Sequence, residues 1–317
     1  MIKYNKKFIK ICLICLFEMI PIFKSNAQAT DTSVISSVEM IGEGVVSTEK
    51  SEYKSVFYNH GKNLMFTRSE ANFKGQVIMI SEMKNGKWQM AKPISFSDIL
   101  YDDSDPFISA SGKILYFVSN RPRKGFLPEK SLDIWKSTFN NGIWGKPVPL
   151  DKTINSEKNE LSPFLFKDKL YFISNRDSGI GFLDIYSAEI KNGKYLKPVN
   201  MGDKINSKMN EFSPYISADG KYLAFTSWRK TTCIGQSDIY FCLWQNGKWS
   251  EPVNAGSLVN SKFEESCPVF SEDLEYFYFS SNRYDDSLPL DQNKVLNGSF
   301  NIYRIPMKEI FKNIKFE

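Results

Sequence analysis

The chain has 317 residues, 15% of them aromatic and 24% charged, which is room for one large globular domain or two ordinary ones. Its net charge of +5 says little about partners. The first 27 residues carry five Lys against Glu18, so the remainder sits near +1. No basic stripe suited to a phosphate backbone is present, which excludes nucleic acid as the partner.

In chain order, residues 1–27 have the form of an export signal. Lys3, Lys6, Lys7 and Lys10 precede the apolar run Ile11 to Phe17, and small Ser25 and Ala27 mark a cleavage site after Ala27. Glu18 and Pro21 interrupt the apolar run, so it is too short to anchor the chain. The mature protein is expected in the periplasm or secreted, with no membrane span after cleavage. Residues 28–35 form a polar, flexible lead-in. Residues 36–46 resemble an outermost strand that arrives ahead of its own sheet.

From residue 52 onward one phrase recurs. EYKSVFYNHGKNLMFTRSE (52–70) is a degraded copy of DSDPFISASGKILYFVSNR (103–121), ELSPFLFKDKLYFISNR (160–176), EFSPYISADGKYLAFTSWR (211–229) and ESCPVFSEDLEYFYFSSNR (265–283). Pro106, Pro163, Pro214 and Pro268 mark it at intervals of 57, 51 and 54. Each copy is expected to form two strands, A and B, with A starting at the proline and a tight turn between them. A second phrase follows, as in LDIYSAEIKNGKYLKPVNM (183–201): a strand C, an Asn-Gly turn and a strand D opening on Trp88, Trp144, Tyr195 or Trp249. Four antiparallel strands in about 50 residues are one propeller blade.

The fifth unit stops after its strand C, FNIYRIPM (300–307). Its missing strand D is at the N-terminus, because an open ring would expose unpaired edges. The fold class is therefore all-β: a five-bladed β-propeller over residues 36–307, closed by the N-terminal strand. Residues 308–317 are a short basic tail.

The repeated phrase E-x-S-P…D-G-K-x-L-x-F-x-S-N-R…D-I-Y…N-G-K-W-x-x-P-V-N resembles the WD40-like β-propeller repeat of bacterial envelope proteins, the type also seen in TolB. Similarity to that family implies a periplasmic scaffold. Many such proteins carry an additional peptidoglycan-binding domain, and none is expected here.

Antiparallel geometry brings the start of A, the end of B and the start of C to one edge of each blade. Asp103, Glu160, Glu211 and Glu265 precede A; Arg121, Arg176, Arg229 and Arg283 follow B; Asp133, Asp184 and Asp238 open C. Residues repeated in nearly every copy belong to the blade, so these are expected to form a structural network of acid and guanidinium clamps. Function is expected where copies differ, in the B–C loops. Arg123, Lys124 and Phe126 of unit two, Trp228 and Lys230 of unit four, and Tyr284, Asp285 and Asp286 of unit five are the binding-face candidates. Aromatics with basic partners are common anchors of protein contacts.

Chemistry is sparse. His60 is the one histidine, which removes most His-dependent hydrolase and metal schemes. There is no nucleophile elbow, P-loop or dinucleotide fingerprint. Asp102, Asp103 and Asp105 lack the glycine and distal Glu of a calcium loop. Cys233 and Cys242 can pair in an oxidising compartment or lie buried as small hydrophobes, the latter being favoured. No catalytic residue, metal or cofactor is expected. The reading is a non-enzymatic exported scaffold that binds a protein or envelope component through the B–C loop face. The alternative is a glycan-binding or glycoside-hydrolase-type propeller, which would need carboxylates in the channel. The strand A cores FIS (107–109), FLF (164–166), YIS (215–217) and VFS (269–271) supply none.

Overall fold

A computed structural model describes residues 37–123, 131–284 and 295–316. The expected export signal and lead-in lie outside the described residues, as do Lys124, Phe126, Asp285 and Asp286. No helix of the described residues is long and apolar enough to cross a membrane.

The chain forms five antiparallel sheets around an axis. Strand A of each is Ser51–Tyr58, Asp103–Ile108, Glu160–Phe166, Glu211–Ile216 and Glu265–Phe270. Strand B is Asn63–Ser69, Ile114–Ser119, Lys169–Ser174, Tyr222–Ser227 and Tyr276–Ser281. Strand C is Val77–Lys84, Asp133–Asn140, Asp184–Lys191, Asp238–Gln245 and Asn301–Pro306. The C–D turns place Asn85, Asn141, Asn192 and Asn246 and the glycine after each at positive φ. That is the mirror-image turn that matches strand twist, and Asn-Gly adopts it at least cost.

Two expectations need correction. Strand A does not begin at the proline. It starts three residues earlier, at the acid, and the proline follows a β-bulge. The register with strand B shifts there in every blade. Lys54, Asp105, Ser162, Ser213 and Cys267 occupy the bulge at φ near +50°. A bulge tolerates proline because it leaves one residue outside the ladder. Strand D is not continuous either. It is two short pieces, such as Lys194–Tyr195 and Val199–Asn200, both paired with strand C. Pro198 lies between them and has no amide to donate, which suits an interrupted edge.

Ring closure follows the sequence. Glu39–Met40 pairs antiparallel with strand C of blade 5, Glu39 opposite Arg304 and Met40 opposite Tyr303. The Glu39 carboxylate accepts two Arg304 bonds of 2.6 and 2.8 Å, and the Ile41 amide donates to Ile302 at 2.8 Å. This strand replaces only the second half of strand D. The first half is replaced by helix α1 (Met307–Phe311), whose Met307 and Ile310 are buried. Phe311 stacks on Tyr222 of blade 4 at 4.6 Å. The tail is therefore part of the packing.

Removing residues 37–46 withdraws buried Ile41 and Val46 and unpairs the seam. At roughly 1.5–3 kcal/mol per buried aliphatic side chain, the truncated domain is expected to lose about 3–6 kcal/mol. Denaturant midpoints of the two forms measure it, and equal midpoints refute the closure.

Candidate functional site

The B–C loop edge is built around buried charge. Each strand A carries at its head, first or second in the strand, a carboxylate whose side chain is almost fully buried. Glu160 accepts the Ser156 amide and hydroxyl at 2.9 and 2.6 Å and the Ser174 hydroxyl at 2.9 Å, and pairs with Arg176 at 3.1 Å. Arg176 also donates to the Ile154 carbonyl of the connection from the previous blade. Glu211 with Arg229 and Glu265 with Arg283 repeat this at 3.6 and 3.1 Å, and Asp103 pairs with Arg121. Burial raises the pKa of Glu52, Asp103 and Glu160, while their serine, threonine and arginine partners lower it.

Blade 1 reaches the same contact by another route. Its Glu52 pairs with Arg68 at 2.7 Å. Arg68 sits where the other blades have the serine two residues before their arginine, so a motif reading passes over it. The partner serines Ser156, Ser207 and Ser261 were also overlooked. Their signal is the recurring Asn-Ser at 155–156, 206–207 and 260–261. Each of those asparagines bonds the strand C backbone of the preceding blade through both its oxygen and its nitrogen.

The strand C aspartates do not join these pairs. Asp184 accepts the Ile180 and Gly181 amides, and Asp238 accepts those of Ile234 and Gly235. They hold the B–C loops. A side chain at Gly181 or Gly235 would collide with the Met209 or Phe263 carbonyl. Asp133 instead meets Arg123 at 2.7 Å, and burial pushes its carboxyl up to about 6 against the Ser131 hydroxyl and Arg123.

The binding-face candidates therefore divide. Arg123 is 2% exposed and also donates to the Asn155 and Ser156 carbonyls. It is a buried strut, because a guanidinium satisfies a carboxylate and several carbonyls at once. Trp228 is half-buried on Phe212, ring centres 5.4 Å apart, and Tyr284 packs on Phe263 at 4.7 Å. Lys230 is exposed. Cys233, Cys242 and Cys267 are free thiols. Asp102, Asp103 and Asp105 point to Gln76, Arg121 and Ser162 respectively, and no metal-ligand cluster occurs among the described residues.

A large cavity lies on the opposite face. A funnel of about 1300 Å³ opens among the A–B and C–D turns. Its walls are aromatic, with Tyr58, Phe139, Trp144, Phe166, Tyr276 and Tyr278 among them, and its floor is Val56, Phe107, Phe164 and Tyr215 of strand A. Three carboxylates, Glu82, Glu272 and Asp273, reach it. His60 lines it too, its Nδ1 3.8 Å from Glu272. Sequence reading missed the funnel because its residues come from short turns that look alike in every unit.

No family model matches the chain, and no curated protein matches it. Solved structures do. A thermostable family-43 glycoside hydrolase superposes with a TM-score of 0.54 at 13% identity, covering 83% of this chain and 89% of that one. The family-43 endo-arabinanase of Bacillus licheniformis gives 0.52 at 12%, covering 84% and 96%. At such identities the likeness is one of fold: the five-bladed propeller.

Two outcomes follow from the loop edge. Arg123→Ala strands a buried carboxylate and is expected to cost about 3–5 kcal/mol, read as a shifted denaturant midpoint; an unchanged midpoint refutes the strut. Burial, with Glu265 beside it, pushes the Glu264 carboxyl up to about 7. The folded chain then holds this proton more tightly than the unfolded one, so stability falls as pH rises from about 4.5 to about 7. Glu264→Gln is expected to melt higher than the parent at pH 8 and equally at pH 4; parallel pH–Tm curves would contradict this.

Proposed function

We propose that this protein binds a carbohydrate chain in the funnel and does not cleave it. The funnel's aromatic lining carries the reading. Flat apolar rings that leave edges and turn hydroxyls accessible suit a sugar's mixed faces, and sites of this size and make-up commonly hold small ligands. The fold shared with a family-43 glycoside hydrolase and with an endo-arabinanase supports it.

Binding is favoured over hydrolysis by the carboxylates. Cleavage of a glycosidic bond needs an acid that keeps its proton beside a second carboxylate. Asp273 is held below the usual range by the Ser271 hydroxyl and the Glu275 amide, and Asp219 makes the same turn bonds in blade 4. Glu82 has its counterpart in Glu189 of blade 3, by their registers with strand D. Only Glu272 stands apart, and its side chain is 79% exposed. A pair of buried, blade-specific acids is missing from the residues described at the funnel.

The export-type N-terminus supports a place outside the cytoplasm, where glycans are met. The B–C loop face is the weaker reading, since Arg123 is spent internally.

Affinity electrophoresis in arabinan, xylan and β-glucan gels tests the proposal. Retardation by at least one neutral polymer is expected, with no reducing ends released. Phe139→Ala and Tyr58→Ala should each weaken it about tenfold, or ~1.4 kcal/mol. Binding unaffected by both substitutions would move the site elsewhere. Reducing ends that disappear in Glu272→Gln would make the protein a hydrolase.

A further inference from the structure

The funnel is blind. Val56, Phe107, Phe164 and Tyr215 form its bottom. Each stands two residues after its bulge, and Val269 holds the same place in blade 5. Ring centres of Phe107 and Phe164 are 5.1 Å apart, and those of Phe164 and Tyr215 4.5 Å. All of these five but Tyr215 are buried. Beneath them a void of about 10 Å³ is bounded by Pro106 and Pro163, at the lower limit for a single water. Beyond it the bulge side chains meet. The Ser162 hydroxyl donates to Asp105 at 2.9 Å, the Ser162 and Ser213 oxygens are 3.4 Å apart, and Ser213 Oγ is 3.5 Å from Cys267 Sγ. No polymer threads an axis closed in this way.

The walls stand on every side. Each A–B hairpin contributes to them, through Asn59, Ser111, Phe166, Ala218 and Asp273 in blades 1 to 5. A carbohydrate chain lying across the mouth touches the rim and leaves the floor rings wet. An internal segment reaches the floor only by folding back on itself between the walls. A chain end enters with a single continuation, so it alone meets floor and walls together and buries the most apolar surface. The volume of about 1300 Å³ exceeds the roughly 300–1,000 Å³ of sites for drug-sized ligands, so several sugar rings fit in succession.

We propose that the funnel receives a carbohydrate chain by its end and stops it on the floor. The ligand is then a terminus, not the interior of a polymer. The inference rests on the carbohydrate reading above.

Calorimetric titration of the full chain tests it. The probes are arabinan, xylan and β-glucan, each whole and after mild acid cleavage that multiplies chain ends about tenfold. At equal sugar mass the cleaved sample is expected to bind with an apparent Kd about tenfold lower. Val56→Phe gives blade 1 the residue of blades 2 and 3 and raises the floor. It should weaken binding about tenfold without lowering Tm. Binding that cleavage leaves unchanged or weakens, or a folded Val56→Phe that binds like the parent, would overturn the inference alone and leave the carbohydrate reading standing. No binding of any probe would overturn that reading and this inference with it. If Val56→Phe does not fold, the comparison of whole and cleaved polymers decides.

Discussion

The carboxylate at the head of each strand A holds the propeller in register. It is buried, which alone would be prohibitive, and it persists because hydrogen-bond donors converge on it from separate pieces of chain. For Glu160 those are the serine of the incoming connection, the serine ending strand B and the arginine beyond it. The arginine then reaches back to a carbonyl of the same connection. One buried acid therefore fixes where a blade starts, where its second strand ends and how the preceding blade hands over. Losing the arginine would leave a buried charge unneutralised, and losing a serine would leave a carboxylate oxygen short of a hydrogen bond; an acid–arginine pair recurs in every blade. In blade 1 even the arginine's position changes and the contact survives.

That edge is consumed by structure. The strand C aspartates there serve the loop amides, and Arg123 is buried against Asp133. The opposite edge has no such duty. Its turns are short and self-contained, held by Asn-Gly geometry and by the side chains of Ser271 with Asp273 and Ser217 with Asp219. Aromatic side chains from all four strand positions are consequently free to line an open funnel. The division of labour is physical: one end of the sheets is tied by charge, and the other is left hollow and rich in aromatic rings.

Closure of the ring shows how little pairing is needed when packing assists. Two residues of strand, Glu39–Met40, complete blade 5, where other blades use two short pieces. Helix α1 occupies the place of the missing piece, and Phe311 packs on Tyr222. Both chain ends thus contribute to the one blade that lacks a continuous strand set. Closure buries edges that would otherwise recruit other chains.

The sequence by itself determined the number of blades, their strand order, the Asn-Gly turns and the seam. Each of these rests on local chemistry or on a period of about 50 residues. The acids and arginines of blades 2 to 5 were legible for the same reason, since repetition marks them. Tertiary structure alone decided the rest. That Asp105, Ser162, Ser213 and Cys267 meet depends on bulges that turn strand A, and the residues are 51 or more positions apart. Burial of Arg123 depends on Asp133 and on carbonyls of the next connection. The funnel is assembled from turns that look interchangeable in one dimension. A side chain's period along a strand tells which face it takes, but only the closing of five sheets around one axis sets which faces meet and what space they leave.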